Sequence, residues 1–250
     1  MVRVPLVNHR SAVDTLRVTL RPPVPTDIAV LRGLAASARC VLFDFDGPLV
    51  GLFANHPAPG VARVLKERLR EWGELTPAMS SCDDPLEVIR AFAHHPRTEE
   101  LEKLLTDQEI HAASLAVPAP HSDELVRLLV DRGRQVAVTT NNSPQAASHY
   151  LAGRGLEELF GPHIYGRTQD PALMKPDPHC LNCAMEKTGH EPADCLMIGD
   201  SVSDYVAAEE AGVTFLGYAR RAEKEADLRA AGAEFVIDSL ELLCSAARDV

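Results

Sequence analysis

Apolar positions along the chain follow two rhythms. Between residues 53 and 120 they recur at helical spacing. Val61, Val64, Leu65, Leu69 and Trp72 share one face, and Leu86, Ile89 and Phe92 form a second short stripe. Leu101, Leu104 and Leu105 make a third behind Thr98, which is placed to cap it. No strand pattern interrupts these stripes. After residue 120, apolar runs of strand length alternate with helical stretches. Ser122 stands as the cap of a helix bearing Leu125, Leu128 and Leu129, stopped by Gly133. Residues 135–139 form a strand pattern, and Ser143-Pro144 opens the next helix as cap and first residue. A weak strand follows at 163–165. A helix then runs from Asp177-Pro178 to Gly189, and an apolar strand occupies 195–198. A helix with Ala207, Ala208 and Ala211 ends at Gly212. Strands at 213–216 and 235–237, with a charged helix between them, complete the set.

The first strand lies earlier, at residues 41–43. Before it, residues 1–38 form an N-terminal arm to which no chemistry is assigned. Arg21-Pro-Pro-Val-Pro25 is a stiff, non-helical break, and Thr26 or Asp27 is placed to cap a short helix through Ala38. Strands separated by helices of this length predict an α/β fold, a doubly wound parallel sheet. Its crossovers are right-handed, and ligands bind such sheets beyond the carboxyl ends of the strands.

Composition narrows the function. The chain has 250 residues, 46% of them hydrophobic, and a net charge of −11. That charge argues against nucleic acid or an anionic membrane as the main partner. No apolar run approaches the roughly 20 residues a membrane span needs. The first 20 residues mix Arg, His and Asp among apolar positions and lack a signal peptide's continuous core. Six scattered cysteines do not suggest a disulfide framework. Cys180 and Cys183 form a lone Cys-x-x-Cys, read as two small residues on a helix face rather than a zinc site. A reduced, cytoplasmic protein is expected, as monomer or homodimer.

Four segments carry chemistry-bearing residues where a strand, or the loop after it, should end. Asp44-Phe-Asp46-Gly47 puts two carboxylates at i, i+2, on one side of a strand. Two such charges raise each other's pKa unless a cation sits between them. Thr140-Asn141-Asn142 offers hydroxyl and amide donors just before a helix N-terminus, a natural place for an anion. Met174-Lys175-Pro176-Asp177-Pro178 holds a lysine on a loop between prolines. Gly199-Asp200-Ser201 with Asp204 places two carboxylates one helical turn apart. Each has a plain alternative: a turn, a solvated charge, a helix cap. Their joint placement on one sheet edge is harder to explain that way. Hard oxygen donors suit Mg²⁺, while lysine and hydroxyl suit phosphate oxygens.

In this order the four segments resemble the motifs of the haloacid dehalogenase superfamily. The likeness is closest to its phosphoglycolate phosphatase-like and phosphoglucomutase-like branch, over residues 40 to about 245. The resemblance implies a Mg²⁺-dependent phosphomonoesterase acting on a small phosphorylated metabolite. Asp44 would be the nucleophile that forms an aspartyl-phosphate. Asp46 would protonate the leaving alcohol and then activate water. Thr140 and Asn141 would bind the phosphate, and Lys175 would offset its charge. Asp44, Asp200 and the Asp46 backbone carbonyl would hold the metal, with Asp204 supporting them. The domains implied are an α/β core at 39–52 and 121–250, and a helical cap at 53–120 that closes over the site and selects substrates. His56, Arg63, His94, His95 and Arg97 are its candidates to reach a substrate. An acid at position 46 fits phosphatases and mutases, since dehalogenases lack one there. Pro48 departs from the family, which commonly has threonine at that point, and the N-terminal arm has no counterpart. A phosphosugar mutase of the same fold is the alternative, ahead of a silent phosphate-binding module.

Overall fold

Four consecutive residues of the first strand, β1 (Cys40–Phe43), are all buried. Cys40 and Leu42 face one apolar cluster, and Val41 and Phe43 face another. The same alternation recurs in the neighbouring strands, so the sheet has a hydrophobic layer on each face. The computed structural model describes residues 26–249. The Pro-rich break at 21–25 and the rest of the arm before it lie outside them.

In chain order the elements begin with α1 (Ile28–Ser37), β1, β2 (Val50–Gly51), α2 (Ala58–Trp72), α3 (Pro77–Ser80), α4 (Pro85–Ala91) and α5 (Thr98–Leu115). They continue with β3 (Val117–Pro118), α6 (Ser122–Asp131), β4 (Gln135–Thr139), α7 (Pro144–Gly153), α8 (Glu157–Phe160), β5 (Ile164–Tyr165) and α9 (His179–Thr188). The chain closes with β6 (Cys195–Gly199), α10 (Val202–Ala211), β7 (Thr214–Tyr218), α11 (Ala222–Ala231), β8 (Phe235–Ile237) and α12 (Leu240–Arg248). Six strands form one parallel sheet in the order β5-β4-β1-β6-β7-β8. The order reverses at β1, with β4 on one side and β6 on the other. This is the topological switch point where a doubly wound sheet opens a crevice. Phe43 is in register with both Val138 and Ile198, so the three central strands end level.

Helices α2 to α5 bury a separate cluster of their own, built on Val61, Leu65, Leu69, Ile89, Leu101 and Leu105. The last turn of α5 leaves it, because Ala112 and Ala113 join the main core. Helix α1 packs on α12 and puts Leu31 and Ala35 into that same core. Asp27 caps it, accepting from Val30 N.

Several local expectations need correction. The helical segment is bounded by a short antiparallel ribbon, β2 with β3, which two-residue strands are too brief to announce as a pattern. Thr98 and Ser122 are first residues of their helices, not caps; Arg97 and His121 hold the cap positions. The hydroxyls turn backwards instead, Thr98 Oγ1 donating to Phe92 O and His95 O and Ser122 Oγ to Ala119 O. Each hydroxyl thus serves the turn before its helix rather than the helix N-terminus. Arg63 stands within α2, where it pairs with Glu67. All six cysteines are free thiols.

Candidate active site

Asp44 continues the line of β1, its N–H donating to Ile198 O at 2.9 Å on the neighbouring strand. A carboxylate so placed inherits the rigidity of the sheet. Asp46, two residues on, lies beyond the strand, where its Oδ1 accepts from Leu52 N at 2.8 Å. Between Asp46 and Leu52 the chain makes a tight turn, in which Gly47 N donates to Val50 O and Val50 N to Phe45 O. Neither bond needs a donor at position 48, so Pro48 fits this turn without leaving a backbone partner unmatched.

β4 delivers the second segment. Thr140 is buried, and its hydroxyl donates to Asn142 Oδ1 and accepts from Asn142 N. The Asn141 amide is fully engaged with the Lys175 backbone: Nδ2 donates to Lys175 O (2.9 Å) and Oδ1 accepts from Lys175 N (2.7 Å). Asn141 thus ties the β4 loop to the lysine loop.

Lys175 is 2% exposed, and its Nζ meets three acceptors: Asp44 Oδ1 at 2.8 Å, Asp204 Oδ1 at 2.5 Å and Thr139 O at 2.8 Å. Asp204 is as deeply buried. Its second oxygen closes the start of α10, accepting from Asp200 N, Ser201 N and Ser201 Oγ. Gly199 makes room for it, since a Cβ there would come within 2.5 Å of Asp204 Cβ. All seven candidate residues therefore line one cavity of about 540 Å³: Asp44, Asp46, Thr140, Asn141, Lys175, Asp200 and Asp204.

Electrostatics follow from this crowding. Burial pushes the Asp44 carboxyl up to about 7; Asp204 adds to the rise and Lys175 opposes it. Burial likewise lifts Asp46 to about 6, against the Leu52 N–H bond, and Asp200 to about 6, against Lys224. Burial alone would lower Lys175, but Asp204 and Asp44 hold it above its ordinary value. Oxygens of Asp44, Asp200 and Asp204 lie within 4.8 Å of one another. An all-oxygen set of three carboxylates, with the pKa values of Asp44 and Asp200 raised, fits a hard divalent cation. Within the set, Asp204 is the residue whose oxygens are already shared among four donors.

The sequence profile of the haloacid dehalogenase-like hydrolases matches residues 38–212. The chain belongs to this family. It is 31% identical to a phosphoglycolate phosphatase of Rhodospirillum rubrum, over 73% of this chain and 81% of that one. A phosphoglycolate phosphatase of Haemophilus influenzae is 26% identical over 81% of this chain and 95% of its own length. Among solved structures, a haloacid dehalogenase family hydrolase from Deinococcus radiodurans with bound phosphate and sodium superposes with a TM-score of 0.57. It is 26% identical and covers 86% of this chain and 96% of its own. A predicted phosphatase from Clostridium acetobutylicum shares the fold at TM-score 0.62 and 21% identity, over 85% and 99% of the two chains.

Beyond the motifs, this hydrolase carries site residues that sequence reading did not find. Lys224 on α11 pairs with Asp200 from the far side of the metal-type cluster. Glu109, in the middle of α5 and 0% exposed, bonds Asn142 Nδ2, Ser143 N and both terminal nitrogens of Arg167. Arg167 also holds Asn141 O and Glu102. Arg90 of α4 donates to Lys175 O at 2.6 Å. Both loops with phosphate-type donors are thus held from the helical segment. No local motif signals these contacts, because their partners stand tens of residues apart. The expected reaching residues are elsewhere. His56 bonds Gln108, Arg63 pairs with Glu67, and His94 lines a different cavity with Arg90 and Pro176. His95 packs on Phe92, and Arg97 lies over the Trp72 ring. From the helical side, Phe53, Ala58, Asp83, Asp84, Pro85 and Leu86 face the candidate residues.

Proposed function

We propose that this chain is a Mg²⁺-dependent phosphatase that hydrolyses a small phosphomonoester through a phosphoryl-enzyme on Asp44. One observation carries the reading: a buried lysine bridges the strand-end Asp44 and Asp204 inside a cavity that also holds Asp46, Thr140 and Asp200. Asp44 is the member best fixed by the sheet, and a carboxylate held rigidly can attack phosphorus in line. Lys175 offsets the charge of nucleophile and phosphoryl group as the bond forms. Asp46, raised to about 6 and placed past the strand, suits proton transfer to the leaving alcohol and then from water. Asp44, Asp200 and the Asp46 backbone carbonyl would hold the metal, supported by Asp204. The ion would supply charge stabilisation on the phosphoryl oxygens. Residues 53–120 act as the cap, because they furnish the wall opposite the strand ends. The names of the phosphoglycolate phosphatase relatives support a small phosphorylated substrate.

Rapid-quench labelling with a phosphate-labelled aryl ester tests the mechanism. An acid-stable, hydroxylamine-labile phosphoryl-protein mapping to Asp44 is expected, and Asp44→Asn should remove it. If Asp44→Asn retained a tenth or more of wild-type turnover, a water nucleophile would replace this account. Phosphate release without any bisphosphate activator separates a phosphatase from a mutase.

A further inference from the structure

The cavity over Asp44 has two ends of opposite demand. Its floor, with Lys175 and the candidate metal ligands, is built for an anion. Its outer wall comes from Phe53, Ala58, Asp83, Asp84, Pro85 and Leu86. Every charge on that wall is negative. Among the described residues, no lysine, arginine or histidine of the helical segment lines the cavity. Lys175, its one cation, lies on the floor and is shared among three acceptors there.

The wall carboxylates differ in how far they are already compensated. Asp83 lies 3.3 Å from Lys66 Nζ, but Lys66 is a buried side chain turned onto Cys82 O and does not line the cavity. Asp84 Oδ1 accepts from Leu86 N at 2.8 Å, which pins the carboxylate at the rim. Its second oxygen has no partner among the described residues. Both wall carboxylates are exposed to solvent, the Asp83 side chain by 75%.

A phosphomonoester that places its phosphoryl group on the floor turns its organic part to this wall. A carboxylate on that part, as in phosphoglycolate, meets two like charges and no side-chain donor of this wall; the hydroxyls that line the cavity, Thr140, Ser201 and Ser203, belong to the core. Solvent screens these exposed carboxylates, yet their like charge still weighs against a ligand anion placed beside them. An ammonium in the same place meets Asp84 and Asp83 as charge-assisted acceptors. We propose that the enzyme selects phosphomonoesters whose alcohol carries a protonated amino group on a short aliphatic linker, and rejects those whose alcohol carries a carboxylate. This rests on the phosphatase reading above, and it separates this chain from its phosphoglycolate phosphatase relatives by substrate.

The test compares kcat/KM of the Mg²⁺-loaded protein on three esters of similar length and on an aryl phosphate. The three are 2-aminoethyl phosphate, 2-hydroxyethyl phosphate and phosphoglycolate. At least about a tenfold preference for the amino ester over phosphoglycolate is expected, with the neutral ester between them. Asp84→Asn keeps the acceptor that opens α4 and should shrink that ratio severalfold. Adding Asp83→Asn should shrink it further, with a thermal melt confirming that both variants fold. Added salt should compress the wild-type ratio. Phosphoglycolate turned over as well as the amino ester, or a ratio untouched by the double variant, would overturn the proposal. Turnover of the aryl ester alone would overturn it too, while leaving the phosphatase reading intact. No turnover of any ester would overturn both.

Discussion

At Gly47 the backbone has φ +135°, and a Cβ would stand 2.4 Å from Asp200 Cγ. Both facts bear on one residue: the conformation favours glycine, and the space belongs to a candidate metal ligand. Gly47→Ala is expected to displace Asp200, weakening Mg²⁺ binding by calorimetry by at least about tenfold while costing about 1–3 kcal/mol of stability. Undiminished metal affinity would show that Asp200 does not need its present place. Asp44→Asn makes the complementary prediction. It nearly conserves volume and removes the nucleophile, so turnover should fall at least about a hundredfold with the fold retained by circular dichroism.

Helix α5 is the element that joins the two halves of the cavity. Its first turns bury Leu101 and Leu105 with the helical segment, and its last turn buries Ala112 and Ala113 with the core. Glu109 sits between them and holds the loop that presents Thr140 and Asn141. Burial would lower Arg167, but Glu109 and Glu102 hold it above its ordinary value; burial raises Glu102. Removing one member of such a pair leaves the others buried without compensation. Glu109→Ala should therefore cost about 3–5 kcal/mol in chemical denaturation. Glu109→Gln keeps an acceptor, should cost less, and should raise KM for an aryl phosphate more than it lowers kcat. If KM stayed unchanged in a folded Gln variant, the pair would be structural only. Helix α1 makes a separate case. Leu31 is 0% exposed against the core, so Leu31→Ala should destabilise by about 2–5 kcal/mol without changing KM.

For the whole molecule, the acidic cluster links stability to pH and to metal. Asp44, Asp46 and Asp200 have folded-state pKa values of about 7, 6 and 6, above the ordinary carboxylate value of 3.8. A carboxyl raised in this way stabilises the fold below its unfolded pKa, and that contribution is lost as pH rises through the folded pKa. The metal-free protein should therefore lose this contribution between about pH 4 and pH 7. A divalent cation binds the ionised form and stabilises by mass action. The gap in Tm between Mg²⁺ and chelator should accordingly widen from pH 5 to pH 7.5, by scanning fluorimetry. A gap independent of pH would mean that the Asp44 and Asp200 carboxylates are not the metal's ligands.

Much of the chain was legible from local pattern alone. Alternating apolar runs defined β1, β4, β6 and β8 nearly to the residue, because a strand buried on both faces needs an unbroken apolar run. Ser143-Pro144, Gly189 and Gly212 marked helix ends through backbone chemistry that needs no partner. The motif residues were legible because the sheet's topology brings strand ends to one edge whatever lies between them. Tertiary structure alone decided the rest. It brought Glu109 to Arg167, Arg90 to the Lys175 loop and Lys224 to Asp200 across long stretches of chain. It committed the Asn141 amide to the lysine loop, and it put Asp83 and Asp84, rather than a histidine or arginine, over the site. Periodicity tells which face of a helix is buried; which polar side chain reaches a cavity depends on how helices pack, and that is set by contacts distant in sequence.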